Sequence, residues 1–200
     1  MYLYLLRHGQ TVSNWEHQVT GTKESPLTEL GRSQALMARK WFVEKRLSFE
    51  RHICSPWLRA RKTAKLALPH ANFTVDSRIG ETWAGEAAEM PRSDFEKQYP
   101  SFFTNFDPDA AFPGGESHSD LNHRVLEWLQ QTAATTRRDE NVLAVCHMGP
   151  ISCILQYIFD IPMRSFPRFK PANCSLTCIN IPPKVIPNLC ELLFFAIPLV

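Results

Sequence analysis

Five side chains of this sequence could together transfer a phosphoryl group: Arg7, His8, Arg59, Glu81 and His147. A phosphate monoester carries a charge of about −1.5 to −2 at neutral pH. Cleaving it takes cations for the phosphoryl oxygens, a nucleophile in line with the leaving oxygen, and a proton for that oxygen. Arg7 and Arg59 can fork onto phosphoryl oxygens with planar, bidentate geometry. A neutral His8 can attack phosphorus through one ring nitrogen, provided an acceptor such as a backbone carbonyl fixes the proton on the other. His147, as an imidazolium, would face the equatorial oxygens. Glu81 can protonate the leaving group and then deprotonate the water that opens a phosphohistidine. Because the cations are side chains, this chemistry calls for no metal and no cofactor.

Such a site needs elements that carry these residues to one place. Residues 2 to 9 read Tyr-Leu-Tyr-Leu-Leu-Arg-His-Gly, an apolar run bounded by glycine that predicts a buried strand. Arg7 and His8 then stand at its carboxyl end, the place where open α/β sheets bind ligands, and Gly9 permits a sharp turn. Arg51 to Ser55 predicts a second, short strand. A helix opens directly at Trp57, so Arg59 falls in a first turn whose amides and dipole favour an anion. Arg61, two residues on, reads as a surface cation. Asn141 to Cys146 is the clearest buried strand; it runs into His147, Met148 and Gly149, with a helix from Pro150 to about Phe159. The same strand-end placement is therefore expected three times, at His8, at Ser55/Arg59 and at His147. The polar loop from Gln10 to Lys23 holds Thr11, Asn14, Thr20 and Gly21, suited to hydrogen bonding a ligand and equally to an ordinary turn.

Thr28 suits the N-cap of a helix running to about Leu47, with Ala35, Ala38 and Phe42 on one face. Phe73 to Asp76 predicts a further short strand. From Arg78 to about His118 the pattern turns irregular and aromatic, with Trp83, Phe95, Tyr99, Phe102, Phe103, Phe106 and Phe112. Such a stretch between core elements reads as a lid excursion, helical over Phe95 to Phe103. Its aromatics are expected to form the small core of the lid rather than to line a substrate pocket. Ser117 can cap a helix with Leu121, Val125 and Leu129 on one face. Ser175 to Ile181 and Leu189 to Ile197 predict two final strands, the last one buried.

Two hundred residues with a net charge of +2 fit one α/β domain, here 1–200 with the lid at about 78–118. Acids and bases are interspersed, which gives no reason to expect nucleic acid or a membrane surface as partner. The apolar C-terminal run is too short to span a bilayer and is interrupted by Cys190, Glu191 and Pro198. The chain enters a strand at once, so no leader is expected and a cytoplasmic location is. Six cysteines without CxxC spacing read as small core hydrophobes of a reducing compartment. His17, His52, His70, His118 and His123 show no metal-ligand spacing and read as surface residues, His118 being the exception to watch because it flanks the end of the lid.

Assembled in this order, the motifs resemble those of the histidine phosphatase superfamily, the phosphoglycerate-mutase-like enzymes. Leu5-Leu-Arg-His-Gly-Gln-Thr with Asn14 is similar to the opening motif, and Ser25-Pro-Leu-Thr-Glu-Leu-Gly-Arg-Ser-Gln-Ala to the first helix. Cys54-Ser-Pro-Trp-Leu-Arg-Ala-Arg-Lys-Thr-Ala resembles the second arginine motif. Arg78-Ile-Gly-Glu with Gly85-Glu86 resembles the acid-bearing segment, and Gly115-Glu-Ser and Val145-Cys-His-Met-Gly complete the set. The resemblance implies a doubly wound, three-layer α/β/α sandwich with a mostly parallel central sheet. It also implies a phosphohistidine on His8, a phosphate pocket of Arg7, Arg59 and His147, and Glu81 as proton donor. Asn14, Thr20 and Gly21 match positions that contact substrate or phosphate; Met148, at a variable position, is counted with them. Ser13 departs from a common Trp, and Ala87 and Glu89 from a frequent Trp and Gly. The length and short lid look most like the α-ribazole phosphatase and broad-specificity phosphatase branch. The implied partner is a small phosphorylated metabolite, with α-ribazole 5'-phosphate as the named candidate, and a homodimer is left open. A cofactor-dependent phosphoglycerate mutase is the first alternative, although Gly85 to Ala111 holds only two cations, Arg92 and Lys97. A non-catalytic phospholigand-binding module is the second.

Overall fold

Alternate residues of the central strands enter opposite cores, and this alternation sets the layering. In the computed structural model, which describes residues 1–21 and 24–199, six strands form one sheet: β1 (Tyr2–Arg7), β2 (Arg51–Cys54), β3 (Thr74–Val75), β4 (Asn141–Cys146), β5 (Ser175–Asn180) and β6 (Glu191–Pro198). Lys23, the expected end of the polar loop, and the side chain of Phe103 lie outside the described residues. The spatial order is β3-β2-β4-β1-β5-β6. Strands β3, β2, β4 and β1 run parallel, whereas β5 is antiparallel to both β1 and β6.

Leu3 and Leu5 of β1 and Val142, Ala144 and Cys146 of β4 enter one core, while Leu6, Leu143 and Val145 enter the other. That is the period of two of a strand buried on both faces. Helices α6 (His118–Ala134) and α7 (Met148–Ile158) cover the first face through Leu121, Val125, Leu129, Ile151 and Ile154. Helices α2 (Glu29–Glu44) and α3 (Leu58–Ala67) cover the second through Ala35, Ala38, Phe42, Ala60 and Ala64. The result is the three-layer α/β arrangement with a mostly parallel sheet. Each large apolar side chain sequestered this way contributes about 1.5–3 kcal/mol.

Local chemistry sets the helix ends. Thr28 caps α2 by accepting from the Gly31 N–H. The helix stops short of Leu47 because Arg46 turns left-handed (φ 50°). The Leu47 N–H then reaches the Phe42 carbonyl at 2.9 Å and the Arg46 N–H the Val43 carbonyl at 3.1 Å, a Schellman closure. Ser117 and Asp120 form a capping box at the start of α6. Helix α7 starts at Met148, ahead of the expected Pro150, because proline is tolerated in a first turn whose N–H groups have no intrahelical partner.

The last strand differs from expectation. β6 lies at the sheet edge with Leu193 44% and Phe195 37% exposed, since an edge strand has one neighbour and incomplete cover. It also begins at Glu191, after a short 3₁₀ turn over Pro187–Leu189. All six cysteines are free; five are buried and Cys190 is half-buried. Among the described residues no helix is long and apolar enough to cross a membrane.

Between 3₁₀ turns over Ser77–Ile79 and Gly85–Ala87 and α6, the excursion over 78–118 contains α4 (Arg92–Gln98) and α5 (Ser101–Thr104); the remaining α-helix among the described residues is α1 (Val12–Trp15). Ala84, Ala87, Phe95 and Phe112 make a separate core there, packed by Tyr99 and Phe102. Phe95 stacks on Phe112 with centroids 5.6 Å apart. The expected lid core thus forms from Phe95, Tyr99, Phe102 and Phe112, but Trp83 stays exposed, and Phe95 and Phe112 also line a cleft, so core and pocket wall are not the alternatives expected. His52 is half-buried between Phe49 and Phe73 rather than at the surface, because it lies on β2 beside aromatic neighbours.

Candidate active site

Parallel register brings the distant segments together. Arg7 pairs with Cys146 across β1 and β4, so the next residues, His8 and His147, leave adjacent strand ends. Their rings are 5.1 Å apart. On the other side of β4, the Ser55 N–H bonds the Val145 carbonyl at 3.0 Å, which sets Ser55 and the start of α3 against His147. The expected triple strand end is therefore one contiguous place, with the His147 strand in the middle.

His8 is 2% exposed. Its Nδ1 lies 2.7 Å from the Gly9 carbonyl oxygen, and Arg59 Nε donates to its Nε2 at 3.1 Å. A permanently charged guanidinium can only donate, so Nε2 bears the lone pair and Nδ1 the proton, given to Gly9. Burial, then Arg59 and Arg7, hold the His8 pKa well below 6.5. The ring is a neutral imidazole whose lone-pair nitrogen faces a cation, and the backbone acceptor expected for the other nitrogen is Gly9.

Arg59 is fully buried, lies over the Trp57 ring at 4.5 Å and donates to the Thr20 carbonyl at 3.4 Å. Burial pushes its pKa down to about 10, against the upward pull of Glu81, so it remains charged at neutral pH. Arg7 donates from Nη1 to the Pro171 carbonyl at 2.6 Å; burial lowers its pKa too, with Glu81 opposing. Its Nε is buried without a partner among the described residues.

Full burial, followed by Arg59, His8 and Arg7, lowers the pKa of His147 well below 6.5, because two cations already occupy the site and burial penalises a third charge. The expected imidazolium would need the negative charge of a phosphoryl group beside the ring. His147 Nε2 lies 2.7 Å from Ser55 Oγ. Ser55 Oγ also accepts from the Trp57 N–H at 3.3 Å. The other ring nitrogen, His147 Nδ1, is buried and without a partner among the described residues. Two buried nitrogens, Arg7 Nε and His147 Nδ1, have no partner among the described residues. An unmet buried polar group costs about 1–3 kcal/mol.

Glu81 is 8% exposed. Its Oε1 accepts from the Thr82 N–H and its Oε2 from the Gly149 N–H, each at 3.1 Å. A Cβ on Gly149 would lie 2.0 Å from Glu81 Oε1; the carboxylate rests where only glycine leaves room. Thr20, Gly21, Glu81 and Met148 line one cleft of about 220 Å³ together with Phe112 and His118. Asn14 stands one hydrogen bond away from His8: Asn173 Nδ2 bridges Asn14 Oδ1 and the His8 carbonyl, each at 3.1 Å. All the expected site residues therefore meet here, Asn14 through Asn173.

The residues missed from the sequence are supports. Thr63 accepts from the Gly9 N–H at 3.0 Å and donates to the Arg59 carbonyl at 2.7 Å; its place four residues after Arg59, on the same helix face, was the available signal. Asn173 lies in a turn before β5 that carries no signal of its own.

His118, flagged at the end of the excursion, is half-buried. Its ring lies 4.7 Å from Phe166 and 5.7 Å from Phe112, and burial lowers its pKa to about 4.

A family model for the histidine phosphatase superfamily (branch 1) matches residues 3–186, and the chain belongs to that superfamily. It is an enzyme of phosphatase type. A 6-phosphofructo-2-kinase/fructose-2,6-bisphosphatase of Caenorhabditis elegans is 30% identical over 168 residues, 82% of this chain; the chain spans only 35% of that relative's length. A probable phosphoglycerate mutase of Yersinia pestis is 28% identical over 186 residues, covering 90% of this chain and 85% of the other. Among solved structures, a mycobacterial glucosyl-3-phosphoglycerate phosphatase in complex with VO3 is 27% identical over 89% of this chain and 92% of that one, with a TM-score of 0.78. The α-ribazole phosphatase of Shigella flexneri shares the fold at a TM-score of 0.86 and 24% identity, covering 99% and 97% of the two chains.

Proposed function

We propose that this enzyme hydrolyses small phosphomonoesters through a phosphohistidine on His8. The carrying observation is the neutral His8 Nε2, held as a hydrogen-bond acceptor beside Arg59, with the His147 ring 5.1 Å away and Arg7 Nε and His147 Nδ1 buried without partners among the described residues. In the first step the Nε2 lone pair forms a bond to phosphorus, the bond to the leaving oxygen breaks, and Glu81 gives that oxygen a proton. Arg7, Arg59 and the His147 Nδ1–H donate to the three equatorial oxygens, where charge accumulates in the transition state. In the second step Glu81 takes a proton from water, the water oxygen attacks phosphorus and the P–N bond breaks. Phosphate leaves with His8 neutral again and Glu81 reprotonated, so the cycle closes on side chains alone.

The chain works as one domain over residues 1–200 in this reading, with 78–118 as the lid, and the leaving group sits in the cleft beside Glu81. Phe95, Phe112 and Phe166 on its wall favour a ring-bearing leaving group, which agrees with α-ribazole 5'-phosphate. Thr20, Gly21 and Met148 contact the substrate there, and Asn14 supports the phosphate through Asn173. The mutase reading has the Yersinia relative in its favour. Against it, the cleft's cation Arg92 is 2.9 Å from Glu96 and so is not reserved for a substrate carboxylate.

Phosphate release and isomer formation from a panel including α-ribazole 5'-phosphate and 3-phosphoglycerate test this, with alkaline quenching to trap the labelled protein. Free phosphate and label on His8 are expected. Isomerisation of phosphoglycerate without net release would make the enzyme a mutase, and phosphate binding with no turnover on any ester would make it a binding module.

A further inference from the structure

The other reactive groups stand on strand ends locked by ladder hydrogen bonds, or in the first turn of a helix. Glu81 stands on irregular backbone, after a 3₁₀ turn over Ser77–Ile79 and outside every strand. Something else must hold it. Arg124, on α6, reaches this segment with its whole guanidinium. Nη1 donates to the Arg78 carbonyl at 2.7 Å and to the Gly80 carbonyl at 2.9 Å. Nη2 donates to the Glu81 carbonyl at 2.9 Å and to Glu116 Oε1. Nε donates to Glu116 Oε2 at 3.1 Å. The five N–H donors of the fork thus meet five acceptors, three of them carbonyls within the acid-bearing segment. Glu116 extends the grip: its Oε1 accepts from the Trp83 N–H at 2.8 Å. Backbone from Arg78 to Trp83 is gripped from the α6 side, and the Glu81 carboxylate is held from the α7 side by Gly149.

We infer that Arg124, with Glu116, is a positioning residue that sets the general-acid geometry of Glu81 without touching substrate. The inference rests on the reading of Glu81 as the acid. Arginine is required because no other side chain offers a planar fork to three carbonyls and a carboxylate at once. A lysine ammonium has three donors and no fixed plane, so it can replace part of the grip only.

A split by leaving group tests it. A proton donor matters for an alkyl phosphate, whose alkoxide leaves poorly, and little for 2,4-dinitrophenyl phosphate, whose phenolate leaves without a proton. kcat/KM reports the step that forms the phosphoenzyme, where the acid acts. Arg124→Met should lower kcat/KM about 100-fold for the alkyl ester and less than about threefold for the dinitrophenyl ester. Arg124→Lys should fall between Arg124→Met and the unsubstituted enzyme. Glu116→Gln, which keeps one carbonyl oxygen facing the fork, should show the same split at about tenfold and serves if Arg124→Met does not fold. Equal losses for both esters, or no loss for either, would overturn the positioning role. Glu81→Gln separates the two layers of the claim. If it shows the split and the Arg124 and Glu116 variants do not, the clamp alone is wrong. If Glu81→Gln itself shows none, the assignment of the acid is wrong and the clamp's role goes with it.

Discussion

His8, Arg59 and His147 are at most 2% exposed and sit where parallel strands end or a helix begins. Phe95, Phe112 and His118, at the other end of the cleft, belong to a segment of short helices and turns with a small core of its own. At the phosphate end every side chain answers to charge and backbone register: His8 to Gly9 and Arg59, His147 to Ser55, Arg59 to Trp57 and Thr20. Moving one of them breaks ladder bonds or bares a buried charge. At the leaving-group end the contacts are aromatic pairs, worth about 0.5–1.5 kcal/mol each beyond burial, and they can re-pack without disturbing the nucleophile. In the proposed reaction the chemistry is held by the sheet, and the choice of leaving group is delegated to the excursion.

The harshest test of this division is His8→Ala. Loss of the nucleophile should cut phosphate release by about 10⁵-fold or more, as for nucleophiles that act within a catalytic unit, and abolish the trapped label while the circular dichroism spectrum is kept. Label surviving on the variant would move the reactive centre off β1 and dissolve the comparison.

Gly149→Ala probes the boundary between the two ends. Its Cβ would meet Glu81 Oε1 at 2.0 Å, so the carboxylate must shift by an ångström or so, which should lower kcat/KM for alkyl phosphates about 100-fold. Vanadate inhibition should persist, because His8 and both arginines are untouched. Loss of vanadate binding would show that acid and phosphate cup are one mechanical unit.

His118→Phe, within the excursion, should have the smallest effect. Relative kcat/KM among leaving groups should change by about tenfold or less, with inhibition by vanadate unchanged. It also carries a pH signature. The folded pKa of His118 is about 4 against an ordinary 6.5, so as pH falls the unfolded chain takes up the proton first. The resulting stability is full above about pH 6.5 and is lost as pH drops towards 4. Between pH 7 and pH 5 the unsubstituted protein should lose about 2 kcal/mol more than His118→Phe, measured by urea unfolding. His8 and His147, also depressed, are common to both proteins and cancel. Parallel pH curves would place His118 in water rather than among the aromatics.

Much of the phosphate end was legible because its signals are local. An apolar run that stops at Arg-His-Gly, another that stops at Cys-His, and an arginine one turn into a helix each describe a strand or helix end without reference to the rest of the chain. The leaving-group end was legible only as a kind of segment, irregular and aromatic, since partners such as Phe95 and Phe112 are chosen by packing and not by spacing. Arg124 carries no signal in the sequence, because nothing in a helical pattern reveals which carbonyls will lie above it.

By itself the sequence determined the order and kind of the core strands and helices, the caps at Thr28 and Ser117 and the residue types at the strand ends, since apolar periodicity and capping are decided within a few neighbouring residues. Tertiary structure decided the order β2-β4-β1 that seats His147 between Ser55 and His8. It also decided that burial and two arginines depress the His147 pKa, that β6 is a half-exposed edge, and that Arg124 grips the backbone of Glu81. Burial and hydrogen-bond partners belong to atoms far apart in the chain, and the charge state of a buried group exists only once those atoms have met.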